Sequence, residues 1–113
     1  MHNQERDRAS LWDMLQVIQE IQDATIGLSY EDFEKGIVIQ RAVERNFEIL
    51  GEAANRISQP LQLNHPDIDW RRIIGMRNII IHRYDEVDQE TLWLVIQCNL
   101  PELKKQLLVL LEK

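Results

Sequence analysis

One cysteine, Cys98, stands in the whole chain, so no internal disulfide is available and no Cys/His cluster with zinc spacing can form. Cys98 is flanked by apolar residues, which predicts a small buried hydrophobe rather than a reactive thiol. Glycine (4) and proline (3) are scarce, which argues against long irregular segments. The longest apolar run, Leu107–Leu111, is far short of the roughly 20 residues that span a bilayer. The N-terminus, Met-His-Asn-Gln-Glu-Arg-Asp-Arg, has no apolar core of a secretory signal. No membrane association and a reducing cytoplasm are therefore expected. Positive charge is also short: 13 basic against 19 acidic side chains give a net charge of −6. That excludes a protein that coats nucleic acid non-specifically, but not a small basic site on an acidic body. Glycine-rich phosphate loops and Ser/His/Asp or Cys/His nucleophile signatures are absent as well.

What is present is helical periodicity. The 113 residues suffice for one domain, in which folding buries roughly two-thirds of the surface of the unfolded chain. Residues 1–113 are read as that single domain, with 1–7 frayed. Leu11, Leu15, Ile18 and Ile21 form one stripe, with Ser10 as its expected N-cap and Gly27 as its end. Ser29-Tyr-Glu-Asp is a polar turn suited to capping a short helical piece through Phe33. Val43, Phe47, Leu50, Ala54 and Ile57 mark a longer helix from Ile37, in which Gly51 points to close approach of another helix. Ser58–Pro66 reads as a connecting loop. Asp67 or Asp69 then caps a helix bearing Ile73, Ile74 and Ile79–Ile81, and Asp88 caps the last one. Leu92, Ile96, Leu100, Leu103, Leu107 and Leu110 hold the stripe of that last helix. Pro101 is expected to kink it, and Val109 and Leu111 to widen its apolar face toward a second chain. The fold class is all-α: an up-and-down bundle of four main helices with one short extra helix.

The chemistry concentrates in Met76-Arg-Asn-Ile-Ile-Ile-His-Arg-Tyr84. From Trp70 to Tyr84 there is no acidic residue but four arginines, Arg71, Arg72, Arg77 and Arg83. A neutral imidazole accepts a proton near neutral pH, and a guanidinium holds a phosphodiester through fixed charge and forked donors. Those are the two roles that RNA cleavage by the 2′-hydroxyl requires, with 2′,3′-cyclic phosphate and 5′-hydroxyl ends, no metal and no cofactor. His82 and Arg77 are the candidates for base and cation, and Arg71, Arg72 and Arg83 for further phosphate contacts. Taken singly each has an ordinary alternative: Arg77 an ion-paired arginine, His82 a helix-end histidine, Tyr84 a half-buried aromatic. Asn78 is either a local cap or a substrate contact. On a regular helix Arg77 and His82 stand about 140° apart. Either the helix ends or bulges near Ile81–His82, or a twofold dimer brings two motifs together.

With these residues assembled, the sequence resembles the HEPN proteins, and among them the HepT-like toxins. Arg77-Asn78-Ile-Ile-Ile-His82-Arg-Tyr84 is similar to their Arg-x4-His-x-Tyr motif. Glu48-Ile-Leu-Gly-Glu-Ala-Ala54, Trp70-Arg-Arg-Ile-Ile-Gly-Met-Arg77 and Leu100-Pro-Glu-Leu103 resemble the same branch. The resemblance implies an all-α homodimer with both motifs in an interfacial cleft. It implies a metal-independent endoribonuclease toxin of a type II toxin–antitoxin pair, with Arg77 and His82 catalytic and Asn78 supporting. It further implies a nucleotidyltransferase antitoxin as partner, which transfers AMP to Tyr84. The competing expectation is a non-catalytic helical partner that holds a nucleotide for such a transferase.

Overall fold

The computed structural model describes the backbone of residues 2–82 and 88–112, and the side chains of 4–78 and 88–112. Every regular element among them is helical: α1 His2–Thr25, α2 Tyr30–Lys35, α3 Ile37–Asn55, α4 Gln59–Asn64, α5 Trp70–His82, α6 Gln89–Leu94, a π-helical turn Val95–Asn99, and α7 Leu100–Leu111. The last three run on as one rod, so four long helices make the bundle, accompanied by two short ones rather than one. α3 is the central helix, packed most extensively on α5 and on α1. None of the described helices is long and apolar enough to cross a membrane.

The stripes become the core. Met14, Ile18, Ile21, Val43, Phe47, Leu100 and Leu107 are almost wholly buried. Such residues contribute about 1.5–3 kcal/mol each on burial. Caps set the ends. Ser29 and Asp32 form a capping box for α2, each side chain accepting from the other's backbone N–H at 3.1 Å. Gln40, buried on α3, donates to the Phe33 and Glu34 carbonyls at 2.8 and 2.7 Å and closes the other end of α2. Asp69 accepts from the Arg72 N–H at 3.2 Å and is the cap of α5. Asp88 accepts from the Glu90 and Thr91 amides and the Thr91 hydroxyl. The Thr91 bonds, ahead of the Glu90 amide, hold its carboxyl below the usual carboxylate range. Gly27, at φ 77, takes the left-handed conformation that ends α1.

Several expectations are corrected. The stretch 58–66 is not a loop throughout. Pro60 lies in the first turn of α4, where a missing N–H costs no hydrogen bond. The break near Pro101 takes the form of the π-helical turn that precedes it, in which the Leu100 N–H reaches back to the Val95 carbonyl. Cys98 lies in that turn and is exposed; its sequence neighbours are apolar, but it stands opposite the Ile96–Leu100 stripe. Leu111 belongs to the core, whereas Val109 is exposed.

The chain start is also more ordered than expected. α1 begins at His2, so Ser10 is an interior residue and not a cap. Asp7 is buried and accepts from the Ser58 amide at 2.8 Å and the Ser58 hydroxyl at 2.5 Å, tying α1 to the head of α4. Asp7→Ala strands those two donors, and we expect a loss of about 1–3 kcal/mol. A urea titration checks it; a midpoint unchanged from the wild type would show that the Asp7–Ser58 link carries no stability.

Candidate active site

α5 owes its position to a glycine on α3. A Cβ added to Gly51 would overlap the Cβ of Arg77, and would lie 3.1 Å from the Ile73 carbonyl oxygen and 3.3 Å from the Arg77 Cα. The two helices therefore touch backbone to backbone where the candidate cation is carried. Close helix contact at Gly51 is thus realised, and its partner is Arg77.

The approach determines the surroundings of the guanidinium. Arg77 is only one-third exposed, with a side-chain relative accessibility of 33%. Its Nε lies 3.9 Å from Oε1 of Glu52, the residue after Gly51. That Nε is buried and has no hydrogen-bond partner among the described residues. Its Nη1 donates a long bond of 3.4 Å to Oδ1 of Asn78, which is exposed. Asn78 is thus a neighbour of the guanidinium and not a cap.

α3 also carries a line of carboxylates at helical spacing, Glu44, Glu48 and Glu52. Glu44 is buried. It takes both oxygens to Arg41 Nη1 at 3.1 Å and accepts from Gln89 Nε2 at 2.7 Å, which anchors the start of α6. Glu48 pairs with Arg45 at 2.9 Å, and Arg45 also stands 4.0 Å from Glu52. These acids lie outside the basic island of Trp70–Tyr84, although their four-residue spacing is legible in the sequence.

Arg71 and Arg72 are both exposed but line different hollows. Arg71 sits beside Pro66 and Trp70. Arg72 lies at the edge of an apolar cleft of about 200 Å³ between α5 and α7, floored by Phe47, Leu50, Ile73 and Leu103. Arg77 is not among the residues that line either hollow. α5 is helical without interruption through His82, so a bulge, one of the alternatives for bringing Arg77 and His82 together, does not occur before that residue. Positions 77 and 82 are then about 140° apart around the axis and about 7.5 Å apart along it. The side chain of His82, and Arg83 and Tyr84 altogether, lie outside the described residues. Among the described residues no three His, Cys, Asp or Glu side chains gather into a metal-holding cluster.

The comparisons with known proteins bear on this helix pair. A model of the family described as "Ribonuclease HepT-like" matches residues 14–110, which takes in α3, α5 and the segment between His82 and α6. The chain belongs to the HepT-like ribonuclease family. A protein of Thermococcus cleftensis named "Probable ribonuclease HepT" is 37% identical over 94 residues, 83% of this chain and 86% of that protein. One from Caldanaerobacter subterraneus subsp. tengcongensis, named provisionally as an RNase, is 36% identical over 94% of this chain and 95% of its own length. A third, from Methanocaldococcus jannaschii and also named provisionally as an RNase, is 32% identical over 88% of this chain and 91% of its own. No solved structure matches the chain. The HepT-like family thus covers nearly the whole bundle, and the Arg77–His82 spacing lies well inside the matched span.

Proposed function

We propose that this HepT-like protein is an endoribonuclease toxin that cuts RNA without a metal ion, using Arg77 and His82. The observation that carries the proposal is the setting of Arg77. It is pressed against α3 by Gly51, with its inner nitrogen toward Glu52 and, among the described residues, its outer nitrogens against nothing stronger than Asn78, on the helix that leads directly to His82. A guanidinium so held offers a fixed positive fork where charge develops on phosphorus. His82 takes the proton from the 2′-hydroxyl, whose oxygen attacks the adjacent phosphorus as the bond to the 5′-oxygen breaks. The leaving oxygen receives a proton, and the ends are a 2′,3′-cyclic phosphate and a 5′-hydroxyl.

The 140° separation of positions 77 and 82 favours a working site shared by two copies of the chain, related by a twofold axis. Tyr84, two residues beyond His82, is the proposed acceptor of AMP from a nucleotidyltransferase antitoxin. A bulky anion attached there would compete with RNA for the same cations. The net charge of −6 fits a protein whose RNA contacts are confined to a small site.

RNA is incubated with the purified protein in EDTA and the ends of the fragments are analysed. Cyclic phosphates at the 3′ ends are expected. Cleavage that disappears with EDTA, or fragments with 5′-phosphates, overturns the mechanism. Binding of nucleotide with no cleavage of any RNA would leave the helical nucleotide-holding partner as the function. Co-expression with a small nucleotidyltransferase followed by peptide mass analysis tests Tyr84: a mass increase of one AMP is expected on the Tyr84 peptide, and an unmodified peptide overturns the assignment.

A further inference from the structure

We infer that Glu52 is a positioning residue for Arg77: it holds the guanidinium by its inner nitrogen and so leaves the outer fork open to a phosphate. The inference rests on the reading of Arg77 just given. Three features converge on it. First, Gly51 brings the Arg77 Cβ onto α3, so the next residue on that helix is the acid best placed to reach the guanidinium. Second, the Arg77 Nε–H is buried without an acceptor among the described residues, a state that folded proteins seldom tolerate. Among the described residues Glu52 is the one acid within ion-pair distance, 3.9 Å from that nitrogen. A shift of about 1 Å by the carboxylate brings the pair to hydrogen-bond length. Glu52 has room to make it, since its side chain is 36% accessible. Third, Arg45 stands 4.0 Å from the same carboxylate oxygen and is itself bonded to Glu48 at 2.9 Å, which limits how far Glu52 swings toward solvent.

The geometry of arginine makes the division of labour possible. Its five N–H donors lie in one plane. A carboxylate on the Nε edge fixes that plane, while the far edge remains free for two parallel bonds to phosphate oxygens. Among the described residues Nη1 is engaged only by the neutral Asn78 amide at 3.4 Å, a bond that an anion displaces readily. Glu52 does not touch substrate in this scheme. It acts through the orientation of Arg77, and its loss leaves a cation that still attracts RNA but no longer points at the phosphorus.

Glu52→Gln keeps the shape and removes the charge. We expect the kcat for a short fluorescent oligoribonucleotide to fall roughly tenfold to a hundredfold with little change in KM, as for a displaced catalytic group. Glu52→Asp, which retains the charge but withdraws it, should fall between. In an Arg77→Lys background, which has no Nε, adding Glu52→Gln should change the rate by less than about twofold, because interacting residues are not additive. By NMR, the Arg77 Nε–H should exchange with water faster in Glu52→Gln than in the wild type, a readout independent of turnover. Wild-type kinetics for Glu52→Gln, effects that multiply in the double variant, or unchanged Nε–H exchange would each overturn the inference. If Arg77→Ala cleaves normally, the reading beneath it fails instead; if Arg77→Ala is inactive and Glu52→Gln is not, only the role of Glu52 fails.

Discussion

Arg77→Ala and His82→Ala should each abolish most RNA cleavage while the chain stays folded. Loss of a proton-transfer group lowers rates by about 10²–10⁴-fold, and loss of a fixed charge at the developing oxyanion by about 10²–10³-fold. Stability should hardly change for Arg77→Ala. Its partner Glu52 is more than a third accessible, and an exposed ion pair contributes about 0–1 kcal/mol. The two variants also test the shared site when they are co-expressed. If each site takes Arg77 from one copy and His82 from the other, a mixed dimer contains one intact pair and one doubly defective pair. Random mixing gives half mixed dimers, so about one quarter of the wild-type activity returns from two inactive chains. If both residues act within one chain, no mixed dimer holds an intact pair and nothing returns. Either single variant cleaving at the wild-type rate would remove its residue from the mechanism.

The reach of the sequence is uneven, for reasons that particular residues make plain. α1, α3 and the closing rod were legible because their apolar side chains recur with the helical period and nothing else explains that spacing. α4 is hidden in the sequence because Pro60 and Pro66 look like breakers, when Ser58 before Pro60 is a helix start. Asp7 reads as part of a frayed end because its neighbours are polar. Its partner, the Ser58 amide, lies 51 residues away, and no local pattern announces such a pairing. Cys98 reads as buried because its neighbours in sequence are apolar, although burial follows the face of the helix. In the candidate site the Arg77–His82 spacing was open to reading because both belong to one short motif. The contribution of α3 was not, since it depends on how closely two helices approach and on which carboxylate then faces Nε. Gly51 was the one visible sign of that approach, and it named no partner.

The same substitution at two glycines should therefore give opposite results. Alanine at Gly51 gains about 1 kcal/mol of helix propensity, but its Cβ collides with the Cβ of Arg77 and stands 3.1 Å from the Ile73 carbonyl oxygen. Neither obstacle is the far end of a flexible side chain, so α3 and α5 must separate. Overpacking of this kind costs about 1–3 kcal/mol. The net loss should lower the melting temperature by several degrees, since about 1 kcal/mol corresponds to roughly 4–8 °C in a domain of this size. The effect on cleavage should be larger still, because moving α5 by about 1 Å shifts the guanidinium off its target and costs about a hundredfold. Gly75, on α5 itself, has nothing among the described residues within 4 Å of an added Cβ. Gly75→Ala should raise stability by about 0.5–1 kcal/mol through helix propensity alone. Thermal unfolding of the two variants side by side decides the matter. If both shift in the same direction, the packing of α5 on Gly51 is not what places Arg77.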